Sequence, residues 1–282
     1  MAGLKKANTT DDIAKVVSQL EEEEIRNLND EIEVSEDGYV HDVPLLAGYV
    51  DSEGRLHDTF TYREMNGRDE EALSKAEVRS NGAKMINTLV ERCVVQIGTL
   101  TKKECGAKWG TIVREMLGGD LDYMAFKIRE LSKGNEVEFT HKCPNCGTKI
   151  NTIINTDEFN IKPYTGQSAI DFTLVRGYKD KNGEVHKEGI IRLPNGFDRE
   201  TVTPMFKKNM STAMTMLMAR LVSINGDRVT QNGISDLSLR DRDILEKIIK
   251  ENSFGVDTTI EDLMCPSCGQ NISGEIGESN FL

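Results

Sequence analysis

One five-residue turn occurs twice in this chain, as Cys143-Pro144-Asn145-Cys146-Gly147 and as Cys265-Pro266-Ser267-Cys268-Gly269. In each, proline fixes φ and glycine tolerates positive φ, so the two thiols that flank the turn can point at one ion. This is a zinc knuckle, and it is half a site, because a structural zinc takes four ligands in a tetrahedral array. The simplest completion puts both knuckles on one metal. Zinc ribbons place their two pairs about 15–20 residues apart, whereas 118 residues separate Cys146 from Cys265 here. Any fold that completes the site must therefore bring two distant tips together. Four thiolates saturate zinc and leave no place for water, so the expected role of Cys143, Cys146, Cys265 and Cys268 is structural. His141 precedes Cys143 by two and is a possible substitute ligand, but its counterpart before Cys265 is Leu263, which favours four sulfurs.

The knuckles are not the only repeated feature. Residues 48–57 and 177–186 share the pattern GYxDxxGx[LV]H at an offset of 129, which also relates Asn66-Gly67-Arg68-Asp69 to Asn195-Gly196-Phe197-Asp198. Arg92 then falls against Arg220 and Asp122 against Asp243. The knuckles, Ile150, Ile154 and Phe159 match Cys265-Cys268, Ile272, Ile276 and Phe281 at an offset of 122. Matches in one order with small gaps indicate a tandem duplication. The expected class is α+β: two tandem copies of a β-hairpin/helix/zinc-knuckle domain, 45–162 and 163–282, related by pseudo-twofold symmetry, plus an acidic N-terminal arm, 1–44.

Each copy reads as a hairpin around the DxxG turn, a polar NGxD turn, a long helix (about 70–97 and 203–224, the first broken near Asn81-Gly82), and a second helix (about 121–132 and 238–251). Glycine C-caps at Gly134 and Gly255 end the second helices, and a strand then enters and leaves each knuckle. In the arm, Ile13, Val16, Val17 and Leu20 follow Thr9-Thr10-Asp11-Asp12 at helical spacing, and residues 1–30 are a candidate contact with a neighbouring subunit. Ile32, Val34, Tyr39 and Val40 suggest a short hairpin around residues 35–38.

Charge narrows the function. The net charge is -12, and residues 1–44 alone hold 12 acidic and 4 basic residues, which argues against a general nucleic-acid surface. No apolar run approaches the roughly 20 residues of a membrane span, and no apolar segment of the secretory kind follows Met1, so a soluble protein made in a cytoplasm is expected. Six cysteines, four of them in knuckles, then indicate a metal site rather than a disulfide framework.

Other candidates for chemistry are weak. His186-Lys187-Glu188 ahead of a CxxC resembles the zinc deaminases, but proline follows the cysteine instead of preceding it, and the first copy has His57-Asp58-Thr59. Cys93 reads as a small core residue, and Cys105 has no base to activate it. The methionine-rich helix (Met205, Met210, Met214, Met216, Met218) reads as core, and Trp109 as an anchor. With no phosphate loop, GxSxG or HExxH, the chain is not expected to be an enzyme.

The second copy carries, in order, LPNGFDRE (193–200), a helix, Asp241-Arg242-Asp243, CPxCG and Phe281. In this it resembles the baseplate hub and tail-assembly proteins of T4-like tailed bacteriophages. That resemblance covers residues 170–282, and 45–160 more weakly. It implies a structural component of a contractile-tail baseplate, assembled in the bacterial host cytoplasm and located in the virion. Binding to other tail proteins in a symmetric ring, without membrane or nucleic-acid contact, would be its work. The alternative is a tail-assembly chaperone absent from the mature particle; a zinc-ribbon nucleic-acid binder would need a basic groove.

Overall fold

The computed structural model describes residues 34–275. The expected arm helix, the strand position at Ile32 and the repeat matches Ile276 and Phe281 lie outside these residues.

In the first half, β1 (Val40–Val50) and β2 (Leu56–Tyr62) form the hairpin anticipated at the DxxG turn. Asn66 then caps α1 (Gly67–Leu73) in a capping box with Asp69. After α2 (Ala76–Arg79), Asn81 caps α3 (Gly82–Cys93) by accepting from the Lys84 N–H. Next come β3 (Val94–Ile97) and β4 (Leu100–Thr101), which complete a sheet of order β1-β2-β3-β4. The helices α4 (Lys102–Cys105), α5 (Trp109–Glu115) and α6 (Gly118–Lys133) lead to the hairpin of β5 (Glu136–Lys142) and β6 (Lys149–Asn155), followed by β7 (Asn160–Lys162).

The second half runs through β8 (Ala169–Lys179), β9 (Val185–Arg192), α7 (Gly196–Phe206), α8 (Met210–Leu221), β10 (Val222–Ile224), β11 (Asp227–Arg228), α9 (Gln231–Ser235) and α10 (Leu239–Glu251). Its sheet is β8-β9-β10-β11, the sequential order of the first. β12 (Gly255–Asp257) precedes the last hairpin, β13 (Thr259–Met264) and β14 (Asn271–Glu275).

Both long helices are shorter than the apolar periodicity suggests. They end at Cys93 and Leu221, because the β-branched runs Val94–Ile97 and Val222–Ile224 pair with β2 and β9 instead. The second is also interrupted, with Asn209 capping α8 as Asn81 caps α3. Gly134 does end α6, at φ +78. Gly255 is no cap: α10 stops at Asn252, and Gly255 lies in β12 at φ +107, where a Cβ would be 2.9 Å from the Gly119 backbone. Met210 is 65% exposed at the start of α8, whereas Met218 is fully buried.

Each half has its own core, built around Phe60, Tyr62, Leu89 and Met124 in the first and Leu174, Ile191, Met218 and Leu245 in the second. A third cluster is shared: Phe126, Val137, Ile154 and Phe159 meet Val256, Ile260 and Leu263. Polar contacts fix the halves to each other. β7 pairs antiparallel with β12, and Lys162 Nζ lies 2.7 Å from Asp257. Glu200 of α7 takes Arg114 Nε at 3.1 Å and Asn87 Nδ2 at 3.0 Å, while Arg199 reaches Asp122 at 2.8 Å. No helix among the described residues is long and apolar enough to cross a membrane.

Candidate metal centre

The two knuckles sit at the tips of the β5–β6 and β13–β14 hairpins, and their turns are built alike. The Gly147 and Gly269 N–H groups donate to Cys143 and Cys265 carbonyls, each at 2.9 Å, with the glycines at φ +75 and +69. The Cys143 and Cys265 N–H groups donate to Thr148 and Gln270 carbonyls, also at 2.9 Å, closing the hairpins. Ile150, Ile272 and Leu263 back the two inner cysteines, which are buried, whereas Cys146 and Cys268 face solvent.

These tips meet. Cys143 Sγ lies 3.8 Å from Cys268 Sγ and Cys146 Sγ lies 3.6 Å from Cys265 Sγ, and all four sulfurs fall within 4.8 Å of one another. Tetrahedral zinc with bonds of about 2.3 Å places its sulfurs about 3.8 Å apart, so the cluster has the dimensions of a four-thiolate site. A disulfide needs about 2.05 Å, and the cysteines are free. The contacts are also reciprocal: the first cysteine of each knuckle faces the second of the other. Burial pushes the Cys265 thiol up to about 11, while the Thr148 hydroxyl and N–H draw the exposed Cys146 thiol down to about 6. These four residues could hold a metal ion. His141, on β5, is not part of the group.

The remaining candidates fall to structural places. His57 and His186 each set Nε2 3.2 Å from the aspartate of their hairpin turn, Asp51 or Asp180, and His186 is not in the sulfur cluster that a deaminase pattern would need. Cys93 is fully buried, its thiol pushed up to about 12 by that burial. Trp109 is buried and its indole N–H donates to the Glu91 carbonyl at 3.1 Å.

Two polar constellations escaped the sequence reading. Asp69, read only as part of the polar NGxD turn, is fully buried between Arg63 (2.7 Å) and Arg92 (2.7 Å); Asp198 sits likewise between Arg192 (2.6 Å) and Arg220 (2.8 Å). Each aspartate thereby ties the end of its hairpin to its own helix and to the helix that carries the second arginine, α3 or α8. Burial would raise the Asp69 carboxyl, but Arg63, the Asn66 N–H and Arg92 outweigh it and hold the group at about 2. The second constellation lies at irregularities in β1 and β8, between Pro44 and Tyr49 and between Thr173 and Tyr178. There Asp120 accepts from the N–H groups of Leu46, Ala47 and Gly48, and Asp241 from those of Val175, Arg176 and Gly177. The signal was present: Asp120 and Asp241 share the offset of Asp122 and Asp243, two residues earlier.

Searches of curated proteins and of solved structures gave no match. A family model does match, over residues 50–276, which take in the first sheet from β2 onward, the whole of the second sheet and both knuckles, and on that match the chain belongs to the T4 bacteriophage base plate protein family.

Proposed function

We propose that the chain is a structural connector of a contractile-tail baseplate, in which two duplicated α+β units, 45–162 and 163–282, are held by one zinc on Cys143, Cys146, Cys265 and Cys268. The observation that carries this reading is the approach of four sulfurs, from tips 122 residues apart, to within 4.8 Å of one another, with cross pairs at 3.6 and 3.8 Å, in a member of a baseplate family. Zinc would supply there a fixed charge and four short bonds, and the chain's own residues orient the thiolates and bury two of them. Matched Arg–Asp–Arg ties, the Asp120 and Asp241 contacts and the sheet order support the duplication. Reciprocity at the tips supports a local twofold there. Two related surfaces on a rigid body suit a protein that joins neighbours in a ring of tail proteins, with the acidic segment 1–30 as a further contact.

Native mass spectrometry of the purified protein, paired with detection of the chain in purified virions, tests both parts. The expected result is one zinc held by the two knuckles of each chain, released when either knuckle is mutated, and retention of the chain in mature particles. A zinc-free native protein would remove the clamp. Absence from virions would transfer the role to an assembly factor that departs before completion.

A further inference from the structure

Besides the four sulfurs, one group of ligand-type side chains converges among the described residues: Asp180, Glu184 and His186, at the turn end of the β8–β9 hairpin. Their ligand atoms all lie within 4.8 Å of one another. From this convergence we propose a second and separate metal site, present only in the second half, that binds a divalent transition ion through one imidazole and two carboxylates.

Part of the cluster has a plain structural reason. Asp180 accepts from the N–H groups of Asn182 (2.9 Å) and Glu184 (2.8 Å) and stands 3.2 Å from His186 Nε2. In the first half Asp51 does the same with Glu53 (2.9 Å), Arg55 (3.0 Å) and His57 (3.2 Å). Bracing of the turn thus explains the aspartate and the histidine in both halves. It does not explain Glu184. The first half has Arg55 at that step, its Nε 2.9 Å from Asp51, so the guanidinium neutralises the turn carboxylate. In the second half a second carboxylate takes the place of the cation. Two acids beside an imidazole favour a bound cation.

Access differs in the same sense. Gly98 closes over His57: a Cβ there would lie 2.7 Å from the ring, the Thr99 N–H approaches Nδ1 at 3.3 Å, and the His57 side chain is 2% exposed. The corresponding turn of the second half carries Asn225 at nearly the same φ, +53 against +52, and meets the ring only through its side-chain amide, 3.0 Å from Nδ1. His186 is 20% exposed, and a cleft of about 470 Å³ opens beside it, lined by Tyr178, Asp227 and Thr230.

Geometry is also favourable. Ligands about 2.1 Å from one ion lie about 3.0 Å apart in an octahedron and about 3.4 Å in a tetrahedron, and the Nε2 to Oδ2 separation is 3.2 Å. On binding, the ring proton of His186 is exchanged through solvent from Nε2 to Nδ1, with no net proton lost, and Nε2 coordinates the ion. Asn225, whose amide is 3.0 Å from Nδ1, accepts that proton through its oxygen after a half-turn of the amide. Such an outer partner commonly fixes a ligating histidine. Three protein ligands leave coordination positions open, unlike the closed sulfur site.

Cobalt titration of the full-length, metal-stripped protein separates the two sites, since only the cysteine site gives thiolate-to-cobalt charge-transfer absorption. The expected result is a second equivalent of cobalt without that absorption, with His186 ring signals perturbed on the parallel zinc titration; only four histidines are present to assign. Glu184→Arg installs the residue of the first half and should abolish the second equivalent while leaving the thiolate signal intact. Glu184→Gln provides the same test with less perturbation should the arginine variant fold poorly. Uptake confined to the thiolate signature, or a second equivalent that persists in the Glu184 variants, overturns the proposal. Loss of the thiolate signal alone would bear on the cysteine site and not on this one.

Discussion

Gly67 and Gly196 occupy the same step of the two halves, the first residue of the helix after an NGxD turn, yet only one of them is hemmed in. A Cβ on Gly67 would meet nothing within 4 Å, whereas a Cβ on Gly196 would lie 2.8 Å from Asn87 Oδ1 and 3.0 Å from Arg114 Cα. The same asymmetry appears at the start of α6 and α10. Gly118 and Gly119 leave room for Arg199 and Phe254, a Cβ on Gly119 falling 2.5 Å from the Phe254 ring; the matching positions hold Leu239, 78% exposed, and Arg240. Where the halves carry the same residues, as in the Arg–Asp–Arg ties, each serves its own hairpin and helices. At these glycine positions the halves part ways, and the first is shaped to receive α7 and Phe254 of the second. The bodies therefore meet through a one-sided contact and the tips through a reciprocal one.

Removing the zinc proposed for the tips would separate these two kinds of contact and should have the largest effect. Structural zinc is worth about 10–16 kcal/mol of apparent binding free energy in small domains, while the tips rest otherwise on a few apolar residues, Ile150, Ile272 and Leu263. Cys265→Ser, or chelation, is expected to abolish stoichiometric zinc and to expose β5–β6 and β13–β14 to fast amide exchange. The two main sheets should stay protected, since each has its own core. Metal analysis with hydrogen-exchange mass spectrometry reads both. Collapse of the whole chain would show that the one-sided contact depends on the clamp.

The next largest effect concerns Asp120 and Asp241. Truncating either to alanine strands three N–H groups, and at about 1–3 kcal/mol for each buried unpaired group the cost should reach at least about 3 kcal/mol. Their acid responses should be opposite. Burial pushes Asp120 up to about 6, despite the N–H groups of Ala47, Leu46 and Gly48. At Asp241 burial acts the same way, but the Ser238 hydroxyl and three N–H groups prevail and the carboxyl is held below its usual range. Folding therefore gains a proton at Asp120 between about pH 4 and 6. That contribution is complete below about pH 4 and is lost as pH rises through 6, on the order of 3 kcal/mol. Asp241 contributes above about pH 4 and loses its contribution as pH falls through the lower folded value. Amide exchange at residues 46–48, corrected for intrinsic rates, should speed up as pH rises from 4 to 7, whereas at 175–177 it should stay level over that range and speed up only as pH falls below about 4. Asp120→Asn should flatten the first.

How much of this was legible follows from the range of each interaction. Local chemistry was readable: the DxxG hairpins, the NGxD turns at Asn66 and Asn195, and both knuckles depend on residues within a few positions. Convergence of the tips was readable as well, because two ligands cannot complete a zinc site. Val94–Ile97 was not, since a short apolar run after a helix has no periodicity to distinguish more helix from a strand, and pairing with β2 decides it. Asp120 appeared as one more acid at a helix start; its purpose depends on a break in a strand more than 70 residues away. Gly118-Gly119 had no local meaning at all, because what excludes a side chain there comes from Pro194, Arg199 and Phe254.

The glycine pair gives the smallest effects and the sharpest internal control. Gly196→Ala must displace Asn87, Leu121 or the α5 backbone, and overpacking of this kind costs about 1–3 kcal/mol. The loss should appear as weaker protection of Asn87 and of the Gly196 N–H, which donates to the Met116 carbonyl at 3.1 Å. Gly67→Ala makes the identical chemical change at the matched step, in open space and without a positive φ to oppose it. There alanine removes conformational freedom from the unfolded chain and should stabilise by up to about 0.5 kcal/mol. Thermal or urea unfolding of the two single variants reads the sign directly. Equal destabilisation by both would mean that the helix start, and not the meeting of the halves, requires glycine; opposite signs would place the requirement in the one-sided contact.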